Sequence, residues 1–352
     1  MAGVIAFVLS AIVFPFYISW LKKKQIEQYV REEGPQSHAA KSKTPTMGGL
    51  CFIAVSTAVS LVLLYFSRWP AEVPLAYAVT VAAALCGLVG FADDYAKVTS
   101  KSNKGLSAKA RLLIEFGIGF GLGAFMLYRG IVPVPEHFGA IVKYAYALGL
   151  VPFLVAATTN AINLHDGMDG LAGGTSVQVF GVIAFMLLMT NHDYLSVVTM
   201  CIVGAVGGFL LYNRNPAKVF MGDTGSLFLG GALAALVAAS GLVLWFIPLA
   251  LIYIIETISV MVQVVYFKLT KDYKPETPMS KPALIWLKLT KRLPGEGKRF
   301  FRMAPLHHHF EAVGEDKGVP EWQVVAYFWL AQFIICAAVL AAFLNFGPRF
   351  TA

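Results

Sequence analysis

Long apolar stretches alternate with short polar ones along nearly the whole chain. Runs at 2–21, 49–66, 75–92, 112–127, 144–162, 171–190, 195–211 and 322–346 each approach the ~20 residues that a helix needs to cross a hydrocarbon core. The run 227–267 would reach about 60 Å as one helix, against a core of about 30 Å, so a turn near 240–241 is expected to split it. Strands of an open sheet are excluded, because backbone groups in lipid must pair internally. The pattern predicts an all-α, polytopic integral membrane protein with ten transmembrane helices.

Composition agrees: 57% of the residues are hydrophobic, only 14% are charged, and the mean hydropathy is +0.67. A soluble domain carries about a quarter charged residues. The first apolar run is followed, not preceded, by Lys22, Lys23 and Lys24. A cleaved signal peptide has the opposite polarity, so a retained first span with Met1 outside is expected.

Charge then sets the orientation. With Met1 outside, the inside segments are 22–48, 93–111, 163–170, 213–225 and 268–321, and they hold 24 of the 28 lysines and arginines. Basic loops stay cytoplasmic, which places both termini outside. The four cysteines lie in apolar runs without CxxC spacing and read as packing residues. No GxxxxGK[ST] loop is present, which argues against an ATP-driven pump in this chain.

The inside segments also gather the unusual polar residues. Asp93 and Asp94 are adjacent carboxylates, which repel each other unless a cation or proton is near. Neighbouring helical side chains point about 100° apart, so the two are expected to take different roles. Lys97 either neutralises them or pairs with a phosphate. Asn163, Asp166 and Asp169 recur at i, i+3 and i+6 between glycines, the composition of a turn or of a binding loop. Asp223 is either a helix cap or a hard oxygen ligand for Mg²⁺. Phe220 offers a ring for stacking a base, or simply an apolar helix entry.

His307, His308 and His309 follow a basic stretch, Lys298, Arg299 and Arg302. Imidazole suits zinc better than magnesium, and three consecutive histidines cannot grip one ion, so phosphate contact or proton handling is expected. A short helix from Ser280 is expected to turn Ile285, Trp286, Leu289 and Leu293 to one side and to lie on anionic lipid, with a buried helix or a plain loop as the alternatives. Glu115 and Glu256 sit inside spans, where ionisable groups are costly and often functional, and so leave an ion-coupled transporter as a rival reading.

Taken together, Thr44-Pro-Thr46-Met-Gly-Gly49, Asp93-Asp-Tyr-Ala-Lys97, Asn163-Leu-His-Asp-Gly-Met-Asp-Gly170, Phe220-Met-Gly-Asp-Thr-Gly-Ser226 and Ala304-Pro-Leu-His-His-His-Phe-Glu311 resemble the polyprenyl-phosphate N-acetylhexosamine-1-phosphate transferase superfamily. They fall in the same order and cover nearly the whole chain. The last of them favours the muramoyl branch over relatives that transfer GlcNAc phosphate, the second rival reading.

The resemblance implies a single transferase domain in the bacterial cytoplasmic membrane, with its active site on the cytoplasmic loops. It also implies Mg²⁺ as cofactor, UDP-MurNAc-pentapeptide and undecaprenyl phosphate as substrates, lipid I and UMP as products, and a homodimer; no nucleic-acid partner is expected. Carried over by position, Asp93 matches the lipid-phosphate base and Asp223 the principal magnesium ligand. Asp94, Asp169 and His307 match residues needed for activity. Lys41, Thr46, Asn163, Asp166, Asn213, Phe220 and Gln263 match the nucleotide and sugar side of the pocket, with Lys97, His308 and His309 as further substrate contacts. Two departures stand out: His165 replaces the usual Thr, and the stretch 272–294 looks like an insertion.

Overall fold

The computed structural model describes residues 1–26, 44–67, 72–100, 102, 105–273, 275, 279–291 and 293–347. Among these residues every extended regular element is a helix. In chain order the helices are α1 (Ala2–Lys23), α2 (Gly49–Tyr65), α3 (Val73–Ser100), α4 (Ala108–Tyr128), α5 (Gly139–Ala145), α6 (Val151–His165) and α7 (Leu171–Met189). Then come α8 (Asp193–Asn213), α9 (Gly222–Ser240), α10 (Val243–Leu249), α11 (Leu251–Leu269), α12 (Lys281–Thr290), α13 (Leu306–Glu315) and α14 (Glu321–Phe346). A π-turn at Tyr146–Leu150 joins α5 to α6. Nine helical segments among the described residues are long and apolar enough to cross a membrane, and α2, with 17 residues, is a shorter apolar helix beside them. The protein is a multi-pass membrane protein.

The long apolar run breaks where expected: α9 ends at Ser240, and Gly241 takes a left-handed φ of 74°, which glycine adopts without strain. Two helices outrun their apolar cores. α3 continues past Ala92 to Ser100, which carries Asp93, Asp94 and Lys97 beyond the apolar stretch on a rigid rod. α4 starts at Ala108, where Ser107 Oγ accepts the Ala110 N–H at 3.2 Å, and so Arg111 falls within its first turn.

Helix α9 is the axis of the molecule. Every residue from Thr224 to Ser240 is buried, with α3 and α6 packed along it. Small residues allow this closeness: a Cβ on Gly90 of α3 would overlap the backbone carbonyl of Asp223. Buried hydroxyls join helices through backbone carbonyls, as in Tyr146 Oη to Ala238 O and Ser10 Oγ to Ala205 O, both 2.8 Å. The peripheral helices α1, α4, α11 and α14 turn large apolar side chains outward, among them Phe16, Leu113, Met261 and Phe333. A continuous apolar exterior around a polar-jointed interior is what lipid requires.

Helix α12 forms within the stretch 272–294, but its faces differ from expectation. Leu284, Leu287 and Leu289 are half-buried, while Ile285 and Trp286 face outward. Leu293 lies beyond the helix end. Lys288 turns inward, donating to the carbonyls of Leu269 at 3.0 Å and Lys271 at 2.7 Å.

Candidate active site

The end of α3, the start of α9 and the last turn of α6 meet around one lysine. Lys97 Nζ lies 2.6 Å from Asp93 Oδ2 and donates to Asp223 Oδ2 at 2.8 Å. Asp93 is buried, and its Oδ1 accepts the Leu106 N–H at 2.7 Å. Asp223 Oδ1 accepts from Asn163 Nδ2 at 2.8 Å, and the same amide reaches Ser226 Oγ at 3.0 Å. Three motifs far apart in sequence thus share a single hydrogen-bonded centre.

Asp94 points elsewhere, as helical geometry demands of a residue adjacent to Asp93. It accepts the N–H of Asp223 at 3.1 Å, the N–H of Thr224 at 2.8 Å and the Thr224 hydroxyl at 2.6 Å. Helix α9 has no side-chain cap of its own, so Asp94 caps it from the neighbouring helix. The approach needs Gly222, whose φ is +73° and where a Cβ would press on the Asp94 carboxylate.

Sequence reasoning missed Arg111 and Asn160. Arg111 Nη2 donates to Asn160 Oδ1 at 2.7 Å, and Nη1 lies 3.4 Å from Asn163 Oδ1 and 3.5 Å from Asp223 Oδ2. Asn160 Nδ2 donates to Glu115 Oε2 at 2.7 Å. The intramembrane Glu115 is therefore the far anchor of a chain leading to Asp223. The legible signals were the i,i+4 spacing of Arg111 and Glu115, and of Asn160 and Asn163 one turn apart on α6.

The 163–170 loop is fixed on both sides. Asp169 Oδ2 accepts from Asn215 Nδ2 at 3.1 Å and from Ala217 N at 3.0 Å. Asn213 accepts the Gly170 N–H at 3.1 Å and donates to Val219 O at 3.0 Å. Both residues brace loops. Asp166 makes no side-chain hydrogen bond among the described residues; burial, reinforced by the charges of Asp223, Asp94 and Asp169, pushes its carboxyl up to about 8.

The residues before α2 pair with those before α9. Phe220 N donates to Pro45 O and Gly48 N to Phe220 O, both at 2.8 Å, which sets Thr46 beside Gly222 and leaves Phe220 half-buried. Lys41 lies outside the described residues.

The histidine run packs on the other side of the 163–170 loop. His307 is fully buried, and its backbone N–H donates to Glu256 Oε1 at 3.2 Å. A Cβ on Gly167 would overlap His307 Nε2. Burial lowers the His307 imidazole to about 4, against the pull of Glu256, so it is neutral at physiological pH. His308 Nδ1 lies 2.9 Å from Glu311 Oε2, and His309 Nδ1 accepts the Arg302 N–H at 3.2 Å. Gln263 Oε1 accepts from Phe300 N and Phe301 N at 3.1 and 2.9 Å, which anchors the loop leading into the histidines. No hydrogen bond joins His307 to Asp93 or Asp223 among the described residues.

The bundle of apolar helices thus gathers acids, a lysine and an arginine at the ends of α3, α4, α6 and α9. Residues 76–241 match the family model described as Glycosyl transferase family 4. Residues 41–53 match Phospho-N-acetylmuramoyl-pentapeptide-transferase signature 1. Proteins of that name from Bacillus thuringiensis and Bacillus cereus are each 38% identical to this chain over 352 residues, covering 98% of it and 96% of the relative. The chain belongs to the phospho-N-acetylmuramoyl-pentapeptide-transferase family, and it is a phosphoglycosyl transferase.

Proposed function

We propose that the chain transfers phospho-MurNAc-pentapeptide from UDP-MurNAc-pentapeptide to undecaprenyl phosphate, giving lipid I and UMP in the first membrane step of peptidoglycan synthesis. The observation that carries this reading is Lys97 held between Asp93 and Asp223, with Asn163 and Arg111 on the same carboxylate. Phosphoryl transfer asks mainly for positioning and charge stabilisation, and this centre supplies both signs of charge on rigid helices.

In this reading an oxygen of the lipid phosphate attacks the sugar-proximal phosphorus in line, and the bond to the uridylyl phosphate breaks to release UMP. Lys97 transfers its contacts to the incoming phosphates and thereby frees Asp93 Oδ2 to take the proton of the lipid phosphate. Arg111 and Asn163 keep Asp223 oriented. Asp94 holds the amino end of α9 in place, Asp169 and Asn213 hold the loop that carries Asp166, and His307 and His308 border that loop at Gly167. Thr46, Phe220, Gln263 and His309 line or brace the nucleotide and sugar side, where Lys41 is also expected to act.

Mg²⁺ fits the donor set. Asp223 offers a hard carboxylate at the start of α9, with the carboxylates of Asp93 and Asp94 reaching the same helix end. When bound at Asp223, the ion would neutralise charge on the pyrophosphate. The whole chain would act as one domain and as a homodimer, with ten spans, both termini outside and the site facing the cytoplasm of the bacterial inner membrane. The nine long apolar segments, the shorter α2 and the bias of basic residues support that topology.

The test is UMP release by purified protein given UDP-MurNAc-pentapeptide and undecaprenyl phosphate, with and without Mg²⁺. UMP formation from UDP-GlcNAc in preference would favour the sibling activity. Trapping a phosphoryl-aspartate, with retained stereochemistry at phosphorus, would replace direct attack by a two-step route.

A further inference from the structure

A second cluster of ionisable side chains shares no hydrogen bond with Asp93, Lys97 or Asp223 among the described residues. It brings together His165, the last residue of α6, Glu256 in the middle of α11, and His307, the second residue of α13. All three are almost completely enclosed, at 0%, 1% and 0% exposure. His165 Nδ1 lies 3.8 Å from Glu256 Oε1, and His307 Nδ1 lies 3.2 Å from Glu256 Oε2. Among the described residues none of the four ring nitrogens makes a well-aligned hydrogen bond, although His307 Nδ1 stands within ion-pair range of Glu256. Buried polar groups almost always find well-aligned partners, and two enclosed imidazoles that turn their Nδ1 atoms towards one carboxylate without such a bond call for an explanation.

We infer that His165, Glu256 and His307 form a buried site for one borderline divalent transition-metal cation, with Zn²⁺ as the prototype. One ligand atom from each residue lies within 4.8 Å of the others. Tetrahedral ligands at ~2.0–2.2 Å from zinc stand about 3.3–3.6 Å apart, so the cluster needs only a small contraction. Two imidazoles and one carboxylate are a zinc donor set and a poor one for Mg²⁺, which prefers oxygens and retains its waters. The site would therefore not compete for the ion proposed at Asp223.

The surroundings favour occupancy. Glu256 is oriented by the His307 backbone N–H, and the His165 ring is held edge-on by Tyr253 and Phe328 at centroid distances of 5.1 and 6.0 Å. A cation bound through Nδ1 of His307 would pin α6, α11 and α13 together and leave Nε2 facing Gly167. His165 is the departure from the superfamily pattern noted above, so a threonine there removes one ligand. The inference goes beyond the proposed transfer reaction and does not depend on it.

The experiment loads the detergent-purified full chain with zinc, dialyses it against a weak chelator, and counts metal by mass spectrometry. The expected result is about one zinc per chain, falling at least tenfold in both H165T and E256Q, as loss of a direct ligand requires. Less than about a tenth of a zinc in the parent, or parental zinc content in H165T, would overturn the site. Because E256Q is a buried change that could unfold the chain, a second measurement uses the unmodified protein. X-ray absorption fine structure of the zinc-loaded chain should show two imidazoles in the first shell, and a shell of oxygens alone would also overturn the site.

Discussion

The acidic centre, partly open, and the histidine cluster, fully enclosed, each join several helices and yet are resolved in opposite ways. Around Asp93 and Asp223, Lys97 and Arg111 meet the carboxylates, and the Leu106 N–H and the Asn163 amide add a further hydrogen bond to each. Around Glu256, the imidazoles sit within reach of the carboxylate and make no hydrogen bond to it. Titration divides the same way: burial holds Asp166 protonated up to about 8 and His307 neutral down to about 4. A polar network in a membrane bundle can be completed by the chain itself, or it can be left open for a ligand. The difference separates a poised reaction centre from a coordination shell.

The largest expected effect tests the first half of this contrast. Asp223→Asn should lower UMP release by about 1,000-fold, the scale of losing a principal electrostatic contact. H165T, on the other cluster, should lose metal rather than that chemistry, and comparable turnover losses in both variants would erase the distinction. Next comes the guanidinium bridge. Arg111→Ala should cost about 100-fold in turnover, and Arg111→Lys should recover little of it, because one ammonium cannot serve Asn160, Asn163 and Asp223 together. Full activity in Arg111→Lys would reduce the bridge to simple charge.

A smaller effect is expected at the helix cap. Asp94→Asn weakens three hydrogen bonds to the start of α9 and should destabilise the protein by about 1.5 kcal/mol, read as a lowered Tm. The smallest effect is on the pH profile of Tm in metal-free buffer. Asp166 has its folded pKa raised, so its contribution is full below the ordinary carboxylate value and is lost progressively from there as pH rises to about 8. His307 has its folded pKa lowered from 6.5, so its contribution is full above that value and is lost as pH falls towards about 4. The two slopes oppose each other between about 4 and 6.5, so the net decline falls between about 6.5 and 8, and Asp166→Asn should abolish that decline and unmask the acid-side loss that His307 causes.

Much of the architecture was legible because lipid imposes a length and a composition on every span. The break at Gly241 followed from length alone. The convergence of Asp93, Lys97, Asn163 and Asp223 followed from the order of the motifs and their likeness to a known superfamily, not from spacing. What could not be read was pairing across helices. Asp94 caps a helix that begins 128 residues later in the chain. Glu115 and Glu256 had suggested ion transport as isolated acids within spans. Each has a partner on another helix, Asn160 and the His307 backbone, and no periodicity along one helix reveals such a partner. The extension of α3 past its apolar core was hidden for a similar reason, since Asp93, Asp94 and Lys97 mark a boundary in hydropathy but continue a helix in backbone geometry.

Helix α9 is the least apolar of the nine long segments and the most completely enclosed. A segment rich in glycine and alanine gains little by partitioning into hydrocarbon on its own. Its place in the bundle rests instead on packing against its neighbours, chiefly α3 and α6. Enclosure and chemistry are coupled at this point: the helix that presents Asp223 is wrapped by the same helices that bear Asp93, Lys97 and Asn163.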